Sequence, residues 1–216
     1  MSHGRIESEL KFRAEDDAPL RALAAAPTLG PASLGPARPV DETDRYLDTA
    51  DLRLAAAGWA CRVRSRQGRT TLSLKGRGEH DAADPVHRRS ELEGPAHTVL
   101  DPTAWPPSAA RDLLLGLAGG QSLHERFTLV QARTERDVSV AGVSVGLLSL
   151  DRSRVVHRGV ELGGLWVVEL EFGTDGVALG LHAAPLAAAL AATPGLVRDP
   201  LTKLEHALDL LAQRAT

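Results

Sequence analysis

The chain has 216 residues, of which 43% are hydrophobic and 25% charged, and this is the composition of a globular protein with a substantial core. Its 25 Lys and Arg against 28 Asp and Glu give a formal net charge of −3, which argues against a general nucleic-acid binder but not against a local cationic cavity. One cysteine, Cys61, excludes an internal disulfide and a cysteine-based zinc site, and no apolar run is long enough to span a membrane.

The hydrophobic pattern predicts seven or eight strands and five helices. Four prolines and two glycines within residues 27–40 predict a loop, whereas Gln67–Gly68 predicts a tight hairpin turn. We expect Asp51 to cap the second helix. Residues 151–164 are expected to form a turn, with part of another strand as the alternative. The predicted strands cover about residues 5–13, 45–49, 59–66, 69–77, 86–93, 125–139, 143–150 and 165–173. The predicted helices cover about residues 19–26, 51–58, 108–117, 179–193 and 201–211.

Mostly antiparallel strands with helices at the ends and in two connections indicate an α+β fold. An ordinary α+β domain and a barrel with flanking helices are the two simplest ways to pack these elements. We expect residues 1–216 to form one domain, because no linker is visible. The start of the chain does not resemble a signal peptide, so we expect a cytoplasmic protein without membrane contact. Frequent Ala, Gly, Arg and Leu are typical of a GC-rich bacterial genome.

The first strand carries an unusual row of charges. Because successive side chains of a strand point to opposite faces, Glu7, Glu9 and Lys11 share one face. This row is either the solvated face of an amphipathic strand or a site for a hard divalent cation beside an anion.

Similar rows recur on distant strands, which favours the second interpretation. Inside a closed barrel these rows would face the lumen, where unpaired charges are costly. A polyanion bound with Mg²⁺ or Mn²⁺ would satisfy both signs, since carboxylates bind the metal and Arg and Lys bind phosphate oxygens. The rows are Arg62, Arg64 and Arg66; Thr71, Ser73, Lys75 and Arg77; Arg89, Glu91 and Glu93; and Glu169 and Glu171.

An ordered set of motifs resembles the CYTH superfamily, also called triphosphate tunnel metalloenzymes. This superfamily includes class IV adenylate cyclases, thiamine triphosphatases, inorganic triphosphatases and fungal-type RNA triphosphatases. The resemblance extends over nearly the whole chain. The matching residues are Glu7, Glu9 and Lys11; Tyr46, Asp48 and Thr49; Arg62 and Arg64; Leu74, Lys75 and Gly76; Arg89, Glu91 and Glu93; Asp151; Glu169 and Glu171; and Lys203.

The resemblance implies an eight-stranded antiparallel β-barrel, the triphosphate tunnel, with flanking helices. It implies one or two Mg²⁺ or Mn²⁺ ions held by Glu7, Glu9, Asp151, Glu169 and Glu171. It also implies a triphosphate held by Lys11, Arg62, Arg64, Lys75, Arg89, Arg133 and Lys203. Arg136 is the alternative to Arg133, and strand alternation puts the two on opposite faces. Lys203 lies among leucines, so snorkelling is its alternative interpretation.

The expected activity is hydrolysis of a terminal phosphoanhydride in tripolyphosphate, thiamine triphosphate or a nucleoside triphosphate. Lys11 beside Tyr46 is the expected catalytic pair, since a lysine surrounded by cations loses its proton more readily. Core packing is the alternative for Tyr46, and Asp48 is expected to bond the following turn. The competing functions are a class IV adenylate cyclase and a catalytically silent polyphosphate- or nucleotide-binding module. The Ala-rich helix near 183–193 is expected to pack, with a homodimer contact as its other possible use.

Overall fold

The computed structural model describes residues 4–78, 84–173 and 176–215; residues 1–3, part of the stretch judged not to be a signal peptide, lie outside these ranges. The strands are β1 Arg5–Ala14, β2 Thr28–Leu29, β3 Ala32–Leu34, β4 Arg38–Thr49, β5 Trp59–Arg66, β6 Arg69–Gly76, β7 Val86–Pro95, β8 Leu123–Val140, β9 Val143–His157, β10 Val160–Phe172 and β11 Val197–Arg198. The helices are α1 Ala18–Ala25, α2 Arg53–Ala56, α3 Ala109–Ala118, α4 Gly176–Ala191 and α5 Lys203–Ala215, with a 3₁₀ turn at Pro102–Ala104.

Eight strands close into an antiparallel barrel. Their order is β8-β4-β5-β6-β7-β1-β10-β9, and β9 pairs with β8 to complete the circle. The short strands β2, β3 and β11 extend the sheet beyond this circle, with β3 pairing with β8 and β11 with β1. The predicted barrel with flanking helices is therefore confirmed.

The barrel packs its apolar side outward. Leu10, Leu148 and Leu170 belong to a buried cluster that also contains Leu20 of α1 and Leu186 of α4. Since interior and exterior alternate along each strand, the polar rows are left facing the lumen. The helices thus complete the hydrophobic core from outside the barrel.

A second outer cluster lies under the middle helices. Leu47, Val63 and Leu74 of the barrel pack with Leu54 of α2 and Leu114 of α3. The hairpin between β5 and β6 turns at Gln67–Gly68, where both residues have positive φ, as a type I′ turn requires.

Helix α5 covers an apolar part of the barrel interior. Phe127, Leu129 and Val155 are fully buried, and Leu204 and Leu208 of α5 pack against them. None of the helices in the described ranges has both the length and the apolar character that crossing a bilayer requires.

Two predicted non-strand regions are corrected. Residues 27–40 are not a loop, since they contain β2, β3 and the start of β4, which pairs with β8 from Arg38 onward. The turn expected at 151–164 is confined to Arg158–Gly159, because β9 continues to His157 and β10 begins at Val160. In both regions long-range pairing overrides local turn signals.

The short helix α2 is capped differently from the prediction. Asp48, rather than Asp51, accepts hydrogen bonds from the backbone N–H groups of Leu54 and Ala55, at 3.0 and 3.1 Å. Asp51 instead accepts a hydrogen bond from the Thr49 hydroxyl. The structural role expected for Asp48 is therefore confirmed.

Arg136 fixes the segment after α1 to the outside of β8. Its guanidinium donates to the carbonyl oxygens of Leu23 at 2.7 Å, Gly35 at 2.8 Å and Leu34 at 3.1 Å, and also to that of Ala26. These acceptors include the end of α1, whose last carbonyls have no partner within the helix. One side chain therefore satisfies several backbone acceptors at once.

Replacing Arg136 by Met is expected to lower the free energy of unfolding by about 2–3 kcal/mol, because buried carbonyl groups lose their donors. Urea denaturation followed by circular dichroism would measure the change. Arg38→Met is the matched control, since Arg38 forms an exposed ion pair with Asp137 nearby, and it should leave the denaturation midpoint unchanged. Equal midpoints for wild type and Arg136→Met would contradict the prediction.

Candidate active site in the barrel lumen

The charged rows face a common cavity. It has a volume of about 810 Å³ and is lined by side chains from all eight barrel strands and from α5. All the residues predicted to bind metal or phosphate line it, except Asp151, which lies fully buried in its wall. Residues that are far apart in sequence are thus brought into one site.

The two predicted carboxylate pairs lie on adjacent strands. Glu9 of β1 lies opposite Glu171 of β10, and Lys11 lies opposite Glu169. Side chains at opposite positions of an antiparallel pair are close enough to interact. The two Glu-x-Glu motifs therefore form one wall of the lumen.

Glu7 is held by two cations. The Lys75 Nζ donates to both carboxylate oxygens, at 2.7 and 2.9 Å, and the Arg89 Nε donates at 2.6 Å. Burial by itself would raise the pKa of Glu7, but the charges of Lys75 and Arg89 lower it to about 2. Glu7 is therefore ionised at neutral pH.

Lys11 lies between two carboxylates. Its side chain is 2% exposed, and its Nζ is 3.2 Å from Glu9 and 3.4 Å from Glu169. Burial favours the neutral amine, but these carboxylates outweigh it and raise the pKa of Lys11 above its ordinary value. The ammonium form is thereby stabilised.

Both carboxylate oxygens of Asp151 accept hydrogen bonds from cationic side chains. Arg133 donates to both of its oxygens, at 2.6 and 2.7 Å, and the Lys203 Nζ donates at 2.6 Å. The same Lys203 Nζ donates to Glu169, also at 2.6 Å. The lysine of α5 is thus joined to the wall formed by β9 and β10, and a snorkelling lysine would not make these contacts.

Glu171 differs from the other predicted metal ligands. Burial raises its pKa, and the negative charges of Glu7 and Glu9 raise it further, while an ion pair with Arg5 at 2.6 Å opposes this. A cation placed among carboxylates that repel one another is stabilised, because its charge offsets their repulsion.

These residues fit a divalent metal in their donor chemistry, because Mg²⁺ and Mn²⁺ prefer carboxylate oxygens. The repulsion that Glu7 and Glu9 exert on Glu171 supports this fit. Within residues 4–78, 84–173 and 176–215, however, no three Asp, Glu, His or Cys side chains already surround a single point. Binding a metal would therefore require these carboxylates to exchange their Lys and Arg partners.

The predicted phosphate-binding cations belong to the same network. Arg64 forms two hydrogen bonds with Asp44, both of 2.7 Å, and Arg62 donates to Ser73 at 3.3 Å. Burial lowers the pKa of Lys75, and the neighbouring charges of Arg89 and Arg62 lower it further. The pKa of Lys75 is therefore lowered whereas that of Lys11 is raised, although both lysines contact carboxylates.

The pairing of Lys11 with Tyr46 stays a prediction, and the two residues reach the cavity from different strands. β1 and β4 lie on opposite sides of the barrel, four strands apart in either direction, so the two side chains line opposite walls. The carboxylates of Glu9 and Glu169 beside Lys11 oppose the loss of its proton, contrary to the expectation of a lysine surrounded by cations. Tyr46 stacks on Phe127 with a centroid distance of 4.8 Å, so it both packs and lines the cavity.

Strand alternation correctly separated the two candidate arginines. Arg133 points into the lumen and contacts Asp151, whereas Arg136 lies outside and bonds the backbone after α1.

Sequence reasoning missed part of the lumen. Glu42, Asp44, Gln131 and Glu135 are all buried. Glu135 lines the cavity, and Glu42 and Asp44 contact Arg64, which also lines it. Glu42 and Asp44 share the row of Tyr46, so the signal was present. It was overlooked because β4 was expected to begin only at residue 45.

Comparison with known proteins places the fold. A model of the CYTH domain family matches residues 5–192. No curated protein matches the chain.

Three solved structures are similar over almost their entire length. HpAC1 from Hippeastrum, reported to reveal a dominant triphosphatase activity, is 20% identical with a TM-score of 0.65, and 94% of this chain and 95% of that one are covered. A candidate adenylate cyclase from Bacillus halodurans is 22% identical with a TM-score of 0.60, covering 95% and 98%. Another from Vibrio parahaemolyticus is 19% identical with a TM-score of 0.52, covering 97% and 99%. At these identities the similarity shows a shared fold.

Proposed function

This chain belongs to the CYTH domain family, and from this membership and the lumen geometry we propose that it is a metal-dependent triphosphatase. The substrate would be inorganic triphosphate or an organic triphosphate, cleaved at a terminal phosphoanhydride bond. Mg²⁺ or Mn²⁺ would be the cofactor, and no nucleic acid or membrane would take part.

One observation carries the proposal: paired carboxylates and a set of Arg and Lys side chains line one cavity of about 810 Å³. The carboxylate pairs lie on β1 and β10, side by side. Because the lumen contains both signs in close ion pairs, a polyanion together with divalent cations can replace those pairs without leaving a buried charge alone.

The metal-binding residues would be Glu7, Glu9, Glu169 and Glu171, with Asp151 retained as a fifth predicted ligand. A bound divalent ion would neutralise phosphate charge and lower the pKa of a bound water. Each of these carboxylates would exchange a lysine or arginine partner for the ion. Asp151 would need to release Arg133 or Lys203 to take part.

The cations of the lumen would bind and orient the triphosphate. The assigned residues are Lys11, Arg62, Arg64, Lys75, Arg89, Arg133 and Lys203. Their N–H groups donate to phosphate oxygens, and arginine does so with two parallel hydrogen bonds. Such donors stabilise the charge that develops on the leaving diphosphate. Lys11 is retained as a phosphate ligand, and Tyr46, on the opposite wall, would orient the attacking water.

Removing the metal is expected to abolish turnover. The purified protein would be offered tripolyphosphate, thiamine triphosphate and ATP with Mg²⁺ or Mn²⁺, and phosphate, diphosphate and cyclic AMP would be quantified. We expect phosphate release that stops with EDTA and returns when metal is added in excess.

Other outcomes of this assay would contradict the proposal. Diphosphate and cyclic AMP from ATP would identify a cyclase. Tight tripolyphosphate binding with no turnover of any substrate would identify a silent binding module.

A further inference from the structure

Asp44 occupies a special position beside the predicted phosphate-binding arginines. Its side chain is fully buried on β4. The Arg64 Nε and Nη2 donate to its two oxygens, both at 2.7 Å, and the Arg62 Nη1 lies 3.5 Å away. A single carboxylate thus contacts two arginines that project from the neighbouring strand into the cavity.

The orientation of Asp44 is itself fixed by neutral groups. The Gln131 Nε2 donates to an Asp44 oxygen at 2.8 Å, and the Ser153 Oγ donates to the Gln131 Oε1 at 3.0 Å. Both Gln131 and Ser153 are buried. The chain of hydrogen bonds therefore crosses β9, β8, β4 and β5 before it reaches the cavity.

This arrangement does more than balance charge. A counter-ion needs only to be near the arginines, whereas the bidentate contact and the hydrogen bond from Gln131 fix both the plane and the direction of the carboxylate. Burial raises the pKa of Asp44, but Arg62 and Arg64 outweigh it and hold the pKa far below the ordinary value. Asp44 therefore stays ionised.

We propose that Asp44, oriented by Gln131 and Ser153, is a positioning residue that aims Arg62 and Arg64 at the phosphate oxygens of the ligand. The identity of the ligand rests on the proposed function. The arginine edge that contacts Asp44 cannot also bind phosphate, so the contact leaves the remaining N–H groups of the guanidinium for the cavity.

Charge balance and positioning predict opposite effects when the Asp44 charge is removed. Asp44→Asn makes the lumen more positive by one unit, so a mere counter-ion would yield tighter binding of a polyanion. If Asp44 positions the arginines, binding weakens in spite of the added positive charge. The sign of the change therefore separates the two roles.

The test is isothermal titration calorimetry with tripolyphosphate in EDTA, together with kcat and KM in Mg²⁺. We expect Asp44→Asn to raise the Kd for tripolyphosphate about 10-fold or more, as befits the loss of well-oriented charge-assisted hydrogen bonds. Asp44→Glu keeps the charge but displaces the carboxylate, so it should not restore wild-type affinity. Unchanged or tighter binding by Asp44→Asn, or full affinity in Asp44→Glu, would overturn the proposal.

Glu135→Gln is the matched control. Glu135 is a buried lumen carboxylate that makes a bidentate contact with Arg66 at 2.7 and 2.8 Å, and Arg66 is not an assigned phosphate ligand. The control should bind tripolyphosphate at least as tightly as wild type. An equal loss of affinity in this variant would overturn the specific role of Asp44.

A second variant covers the case in which Asp44→Asn does not fold. Gln131→Met retains the Asp44 charge and most of the side-chain volume but removes the hydrogen bond that orients it. Weaker tripolyphosphate binding by this variant supports the proposal, and wild-type binding overturns it. Wild-type protein that binds tripolyphosphate without hydrolysing it would refute only the proposed hydrolase, because the binding comparison remains valid.

Discussion

Replacing Glu9 by Gln is expected to lower metal-dependent kcat by at least about 100-fold, a size typical of losing one essential electrostatic contact. Glu9 lies opposite Glu171 in the paired strands, at the centre of the carboxylate wall. A neutral amide offers one weak oxygen donor in place of two anionic ones, so metal affinity should fall as well. Steady-state rates at increasing Mg²⁺ would measure both effects.

The fold should survive this substitution. The Glu9 carboxylate contacts Lys11 at 3.2 Å and Arg89 at 3.3 Å, and a Gln oxygen can still accept hydrogen bonds at the same place. Each of these cations keeps another carboxylate, Glu169 for Lys11 and Glu7 for Arg89. Circular dichroism and thermal denaturation should therefore resemble those of wild type.

Glu93→Gln makes the same chemical change on β7. Glu93 also lines the cavity and accepts a hydrogen bond from Ser73, but it is not a predicted metal ligand. Its kcat should stay within a few-fold of wild type. Full metal-dependent turnover by Glu9→Gln would show that the metal assignment is wrong.

Replacing Asp151 by Asn is expected to lower the free energy of unfolding by roughly 3–5 kcal/mol in metal-free buffer, the usual cost of breaking a buried ion pair from one side. The Asp151 side chain is completely buried between Arg133 and Lys203. Without the Asp151 carboxylate, Arg133 and Lys203 stay buried, and Glu169 is a carboxylate that both still contact, at 3.7 and 2.6 Å. Urea denaturation in EDTA would measure the change without any contribution from metal binding.

A double substitution tests the origin of this loss. Combining Asp151→Asn with Lys203→Met removes one of the two stranded cations, so part of the stability should return. Purely additive losses would argue that the ion pair is not responsible. A stability equal to wild type for Asp151→Asn alone would contradict the prediction and favour a role confined to ligand binding.

Face alternation explains why much of the site could be predicted from sequence. Glu7 and Glu9 share a face in any extended strand, and the same holds for Glu169 and Glu171. Arg133 and Arg136 are three residues apart, so only one of them can face the lumen. The charged rows on five predicted strands favoured a barrel, and the family resemblance implied one with eight strands.

The predictions that the structure corrects concern features set by contacts between distant strands. Pro36 and Pro39 are turn signals, yet β4 begins at Arg38 because β8 and β5 supply its partners. The neighbours of Lys11 come from its own strand and from β10, and the distance to Tyr46 is set by closure of the barrel. The sequence of one segment determines neither which strands become neighbours nor which side-chain rotamers form. The ion-pair partners depend on both.

The reciprocal ion pairs of the lumen also limit how such a chain can diverge. Arg66 and Glu135 hold each other in a bidentate contact on the missed side of the cavity. Loss of Arg66 leaves Glu135 as a buried charge without this partner, so that single substitution is selected against while a joint replacement is tolerated. Among homologues, positions 66 and 135 should therefore covary, and a reversed Glu–Arg pair or an apolar pair should be found more often than a lone charge.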